Sequence, residues 1–182
     1  MKNQTYKTLF SMHDNYEQYV NETEKKIRSI EAYLAYSLQS LDESDKSLKS
    51  ARIYLGKIIS EITSYQEKVY NRAKNIIEKH QKRLYKIYEN GTYNISENDL
   101  EELLCKHAFK QYESLCDIDT LILNTCSDVY SLKNEYGMIF DLESISKAEV
   151  ECHNVRELMT ENLTYLNSLQ LKADLYKKTS KK

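Results

Sequence analysis

Residues 37–47 read Ser37-Leu38-Gln39-Ser40-Leu41-Asp42-Glu43-Ser44-Asp45-Lys46-Ser47, and the conformation of this stretch decides the architecture. Through it runs one set of apolar positions, Val20, Ile27, Leu34, Leu41, Leu48, Leu55, Ile62 and Val69, spaced seven apart without exception. A companion set holds Tyr16, Thr23, Ile30, Ser37, Ser44, Ala51, Ile58 and Tyr65, so the two together form an a/d helix-pairing seam. Inside residues 37–47 the companions shrink to serines, and Asp42 or Ser44 offers an N-cap. If the chain stays helical there, one helix of about 85 residues and ~130 Å runs from near Thr5 to Glu89. If it turns at residues 42–44, two helices of about 40 residues result, and the seven-residue register admits either.

Beyond Val69 the spacing drifts through Ala73, Ile76 or Ile77, His80, Leu84 and Ile87, closer to an eleven-residue repeat. The clearest break is Glu89-Asn90-Gly91-Thr92-Tyr93-Asn94-Ile95-Ser96, where Asn-Gly is a turn dipeptide and Ser96 with Asp99 imitates a capping box. A third helix carries Leu115, Ile118, Ile122, Val129, Leu132, Tyr136 and Ile139 and weakens at Gly137, a candidate C-terminal cap, before Asp141 or Ser144 restarts the chain. The last helix carries Ile145, Ala148, Cys152, Val155, Met159, Leu163, Leu166, Leu169, Ala173 and Tyr176. The reading is a single all-helical domain over residues 1–182, with helices near 5–41, 45–89, 97–136 and 142–178 and a basic tail at 177–182 that frays. Four helices of ~60 Å suit an up-down four-helix bundle, and an unbroken first half suits an extended helical hairpin or coiled coil.

Composition agrees. The 182 residues contain no proline, no tryptophan and three glycines, too few turn formers for a β-sandwich, a barrel or a doubly wound α/β sheet. With 41% hydrophobic and 30% charged residues and a mean hydropathy of −0.69, the apolar side chains must lie in narrow stripes. Neither a secretory signal nor a transmembrane segment is legible, so the chain is expected inside the cell, in the cytoplasm ahead of the nucleus. In that setting the sequons at Asn3, Asn21, Asn90, Asn94 and Asn162 are accidents of composition, and Cys105, Cys116, Cys126 and Cys152 are small buried apolar residues.

Chemistry-bearing constellations are absent from the pattern. Phe10, Ile77, Leu104 and Val150 stand three residues before the four histidines, so no Glu-x-x-His metal pair exists. In Cys105-Lys106-His107 the two ligand types point about 200° apart on a helix. Isolated Gly56, Gly91 and Gly137 make no phosphate loop. The expectation is therefore no enzyme, no catalytic residue, no metal, no cofactor and no small-molecule substrate. His80, on the drifting stripe, reads as an edge histidine with a satisfied ring nitrogen.

Sixteen tyrosines are distinctive. Tyr16, Tyr65, Tyr136 and Tyr176 fall on seams, whereas Tyr36, Tyr54, Tyr70, Tyr85 and Tyr93 lie off them, where exposed rings mark partner surfaces. Residues 1–91 carry 16 Lys/Arg against 12 Asp/Glu, net +4, and residues 92–182 carry 10 against 16, net −6. In an up-down bundle the Asn90 turn joins both chain ends at a basic pole. That pole gathers Lys68, Arg72, Lys74, Lys79, Lys82, Arg83 and Lys86 with Lys2, Lys7, Lys177, Lys178, Lys181 and Lys182. Asp42, Glu43, Asp45, Asp141 and Glu143 fall at the opposite pole. These charges complement helix dipoles or face an anionic lipid or acidic partner.

The functional expectation is a non-enzymatic helical interaction protein, a scaffold, adaptor or complex subunit pairing through its seams with itself or a protein partner. The alternative is a peripheral module that lays a basic face on anionic membrane. Its long antiparallel helices and basic first half are similar in general plan to BAR-type and ESCRT-III-type membrane remodellers, without a shared motif at any residue. Nucleic acid is the third-ranked partner, since the second half is acidic and no binding motif for it occurs.

Overall fold

The structure, a computed structural model, describes residues 2–91, 94–139 and 142–181; Tyr93, Asp141 and Lys182 fall outside them. It is an all-α helical bundle with no strand among the described residues. The helices are α1 (Lys2–Gln39), α2 (Lys49–Glu89), α3 (Glu97–Tyr136), α4 (Leu142–Glu161) and α5 (Leu163–Thr179), with a short 3-10 turn at Lys46–Leu48.

The decisive stretch turns. Helix α1 closes with Ser40 N–H donating to Tyr36 O (3.1 Å), while the Ser40 hydroxyl takes Ser37 O (2.8 Å). Two Asp-x-Ser units follow in tandem. Asp42 Oδ1 accepts from Ser44 N (2.9 Å) and Oγ (2.7 Å), and Asp45 Oδ1 accepts from Ser47 N (2.9 Å) and Oγ (2.7 Å). These bonds hold both carboxyls below their ordinary pKa and offer the backbone an alternative to helix. The Arg52 guanidinium reaches back to the carbonyl oxygens of Asp42 and Asp45, tying the turn to α2. Asp45, rather than Asp42 or Ser44, is the cap, and it caps the 3-10 turn; α2 begins at Lys49 rather than at residue 45 because Asp45 diverts the three residues that follow it into that turn.

The seven-residue stripe is consequently the buried faces of two helices. Val20, Ile27, Leu34, Leu41, Leu55, Ile62 and Val69 are buried, whereas Leu48, in the connection, is half-buried and Ser44 is exposed. Further along α2 the drifting stripe resolves to Ala73, Ile77, His80, Leu84 and Ile87, with Ile77 rather than Ile76 turned inward.

The second turn behaves as its residues require. Gly91 has φ 73°, a left-handed conformation that L side chains adopt at a cost. Ser96 Oγ accepts from Asp99 N (3.1 Å) and donates to Asp99 Oδ2 (2.6 Å), starting α3. Gly137 closes α3, its N–H on Lys133 O (3.0 Å). The expected last helix is two: Asn162 separates α4 from α5 with no side-chain cap bond.

Two compact units are formed. The first contains residues 1–21, 70–117 and 161–182, the second residues 22–69 and 118–160. The first is built from the start of α1, the end of α2, the start of α3 and all of α5. Its apolar core includes Leu9, Ala73, Leu84, Leu100, Leu115 and Leu169, and a buried bond runs from Tyr16 Oη to Ser114 Oγ (2.8 Å). The second takes the rest of α1, the start of α2, the end of α3 and α4. Ile27, Leu34, Leu55, Ile118, Ile122, Val129 and Val155 pack its core, with Lys133 paired to Glu149 (2.5 Å) and Lys26 to Glu151 (3.6 Å). All four cysteines are free; Cys126 and Cys152 are buried in the second unit, and Cys105 and Cys116 are half-buried in the first. No described helix is long and apolar enough to cross a membrane.

Candidate anion-binding groove

In the first unit the second half of α2 and the first half of α3 enclose a groove of about 510 Å³. Helix α2 supplies Arg72, Asn75, Ile76, Lys79, His80, Lys82 and Arg83, whose three- and four-residue steps keep them along one side of the helix. Helix α3 supplies Lys106, His107 and Lys110. Six lining side chains are cationic and none is a carboxylate.

Part of this charge is already compensated. Arg72 forks onto Asp117 (2.6 Å) and Glu113 (3.3 Å), Lys110 lies 3.8 Å from Glu113, and Lys82 pairs with Glu78 (2.6 Å) one turn earlier. Lys79, Arg83 and Lys106 enter no ion pair among the described residues. They are exposed, as an uncompensated cation must be to keep its hydration.

Beneath the cations lie two imidazoles. His80 and His107 are buried, with ring centroids 3.6 Å apart and planes within 7°. A hydrogen-bond relay orients the first. Tyr165 Oη lies 2.8 Å from both Met12 O and Gln111 Oε1; the Gln111 amide nitrogen then faces His80 Nδ1 at 3.4 Å. With its carbonyl oxygen toward the tyrosine, Gln111 donates to Nδ1, leaving the His80 proton on Nε2. His80 is therefore the satisfied histidine its place on the stripe suggests. His107 is not: both of its ring nitrogens are buried without a partner, as are those of His13. Glu17 stands 3.8 Å from His13 Nε2, too far for a hydrogen bond. Burial, reinforced by neighbouring His13 and Arg83 for His80 and by His80 and Arg83 for His107, pushes both pKa values down to about 3. Both rings are neutral at pH 7.

The basic residues singled out by sequence separate into three sets. Arg72, Lys79, Lys82 and Arg83 line the groove. Lys74, Lys86, Lys177 and Lys178 belong to the same unit but do not line it; Lys177 lies over the Phe109 ring at 5.4 Å, which the groove residue Lys110 also approaches at 5.3 Å. Lys68 belongs to the second unit, in a cleft of about 570 Å³ where Glu61 and Asp128 oppose its charge. Lys106 and Lys110 escaped the sequence reading because they are embedded in the acidic run from Glu97 to Asp117. The signal was their four-residue spacing around His107, which puts all three on one helical arc.

The first unit holds 15 basic against 12 acidic side chains, net +3, and the second 11 against 16, net −5. The chain termini and the Asn90 turn do fall in one unit, while Asp42, Glu43, Asp45 and Glu143 fall in the other. Of the off-seam tyrosines, Tyr36 (61%) and Tyr85 (61%) are exposed and Tyr54 is half-buried against Tyr136, but Tyr70 is buried at 2% exposure and presents no ring to a partner. No group of three or more His, Cys, Asp or Glu among the described residues is placed to hold a metal ion. Set against family models, curated proteins and solved structures, the chain matches none.

Proposed function

We propose that this protein is a non-enzymatic helical interaction protein, a scaffold, adaptor or complex subunit, that receives an anionic partner on the basic side of its first unit. The observation that carries the reading is the α2–α3 groove: among the described residues six cations line it, no carboxylate does, and Lys79, Arg83 and Lys106 form no ion pair. Such a surface steers and orients a partner of opposite charge. The seam from Val20 to Val69 is mostly buried by the chain itself, so a partner engages other surfaces.

A second reading, a peripheral module on anionic membrane, is favoured by Tyr85 and Tyr88. Their rings are 61% and 70% exposed on the last turns of α2, beside Lys82 and Lys86, and aromatic and basic side chains together suit a lipid interface.

The test compares the chain with a Lys79→Glu/Lys82→Glu/Arg83→Glu/Lys106→Glu variant. Both are applied to immobilised polyglutamate and to phosphatidylcholine–phosphatidylserine vesicles, at low and moderate salt. Salt-sensitive retention on polyglutamate, lost in the variant, supports the first reading, and vesicle pelleting lost in the variant supports the second. Equal behaviour of the two chains on both probes removes the basic side of the first unit as the working surface.

A further inference from the structure

We infer that the α2–α3 groove is a binding site for a compact ligand carrying two or more adjacent phosphate groups, held by Lys79, Arg83 and Lys106 above the His80–His107 pair. The inference rests on the reading that the basic side of the first unit is its working surface, and it names the ligand class.

Four observations choose phosphate over an acidic peptide. The first is concavity: about 510 Å³ lies within the range of small-molecule sites, ~300–1,000 Å³, where a flat charged patch would suit a broad acidic surface. Second, Ile76 is the one aliphatic side chain among the described lining residues, the others being polar or charged, so the groove offers a peptide few apolar side chains to anchor on. Third, the cations come from both walls. Arg72, Lys79, Lys82 and Arg83 stand on α2 and face Lys106 and Lys110 on α3, as binding a multiply charged compact anion requires. Fourth, the lining contains hydrogen-bonding groups as well as charge. His107, a neutral imidazole, carries one N–H and one lone-pair nitrogen and has a partner for neither, and with the Gln111 amide nitrogen on His80 Nδ1 the His80 N–H is on Nε2. Phosphate oxygens are strong acceptors for such N–H groups.

The cations that would do most are those the fold leaves uncommitted. Arg72, Lys82 and Lys110 are shared with Asp117, Glu113 and Glu78, so they set the field of the groove, while Lys79, Arg83 and Lys106 are available for direct contact. A phosphate cluster could be presented free in solution or on a lipid headgroup; the chemistry is the same, and the experiment separates the two sources.

The experiment titrates the full chain with inorganic tripolyphosphate by calorimetry, with sulfate at matched ionic strength as the control, and follows the His80 and His107 ring resonances by NMR. Saturable binding of one tripolyphosphate is expected, with sulfate far weaker and the His107 ring signals displaced. Arg83→Gln and Lys106→Gln, both at exposed positions that leave the core untouched, are each expected to weaken binding about tenfold, the loss that follows removal of a charge-assisted hydrogen bond. Lys57→Gln, an exposed change in the second unit, is expected to leave it unchanged. Absence of saturable binding, or equal affinity in Arg83→Gln, Lys106→Gln and the native chain, overturns the inference. Retention on polyglutamate or phosphatidylserine vesicles without tripolyphosphate binding overturns this inference alone and leaves the broader reading standing; loss of all three ends both. A second arm uses phosphatidylcholine vesicles with and without phosphatidylinositol bisphosphate. Pelleting only with the phosphorylated lipid, displaced by tripolyphosphate, assigns the site to a headgroup. Tripolyphosphate binding without pelleting assigns it to a soluble ligand.

Discussion

The imidazoles of His80 and His107 lie face to face, 3.6 Å between centroids and 7° from parallel, although 27 residues and the Asn90 turn separate them in the chain. Stacking at this distance is tolerable because both rings are neutral; two imidazolium ions so placed would repel. The pair therefore links the stability of the first unit to pH.

In the folded chain both rings titrate near 3, whereas in the unfolded chain they titrate near 6.5. The unfolded state then binds more protons, so stability falls as pH drops from about 6.5 toward 3, by up to ~1.4 kcal/mol per pH unit for each ring. The surroundings reinforce the sign, since Arg83 on α2 and His13 on α1 both oppose protonation of the pair. Urea unfolding at a series of pH values between about 6.5 and 5, above the range of ordinary carboxylates, checks this. A midpoint that does not move across that interval contradicts it.

Tyr165→Phe removes the hydroxyl that lies 2.8 Å from both Met12 O and Gln111 Oε1. The expected cost is about 1–3 kcal/mol, since the single O–H proton shared between Met12 O and the buried Gln111 Oε1 is lost. With its oxygen released, the Gln111 amide is free to rotate, and the His80 tautomer should lose its definition. Thermal melts report the first effect and nitrogen chemical shifts of the His80 ring the second; an unchanged tautomer would show that Gln111 is held by something else.

The interrupted seam predicts unequal effects from chemically equal substitutions. Leu34→Ala and Leu55→Ala, both at 0% exposure, should each cost about 2–5 kcal/mol. Leu48→Ala, at the same seven-residue phase but half-buried in the connection, should cost less than about 1 kcal/mol. Chemical denaturation of the three variants decides between an interrupted and a continuous seam, because a continuous one would lose similar amounts at each position.

Gly91→Ala tests the second turn. An added methyl meets nothing within 4 Å, so the penalty comes from the left-handed backbone alone and should be about 1–2 kcal/mol. A melting temperature equal to that of the native chain would mean that the turn relaxes to another conformation.

Much of the architecture was legible because it depends on local chemistry. Three glycines and no proline leave helices as the main option, Asn90-Gly91 marks a reversal, and Ser96 with Asp99 starts a helix whatever surrounds it. Even the break at residues 40–48 was signalled by its serines and aspartates. The spacing of Leu41, Leu48 and Leu55 nevertheless carried the heptad phase straight across, and phase alone does not distinguish a continued helix from two helices joined by a turn. Asn162 gave less warning: its backbone stays in the helical region, so the separation of α4 from α5 has no strong local mark.

The groove belongs to tertiary structure. Sequence alone determined that α2 carries a dense run of lysine and arginine, since charge and helical spacing are properties of neighbouring residues. It did not pair Arg83 with Lys106, or His80 with His107 and Gln111, because these meet only when α3 folds back beside α2. Net charge over half a chain averaged Lys106 and Lys110 into an acidic background. Packing placed them opposite the α2 cations and left the flanking carboxylates outside the described lining. Burial, which neutralises the two histidines and deprives His107 of partners, is likewise a consequence of what surrounds a residue in space, and it was decided only by the fold.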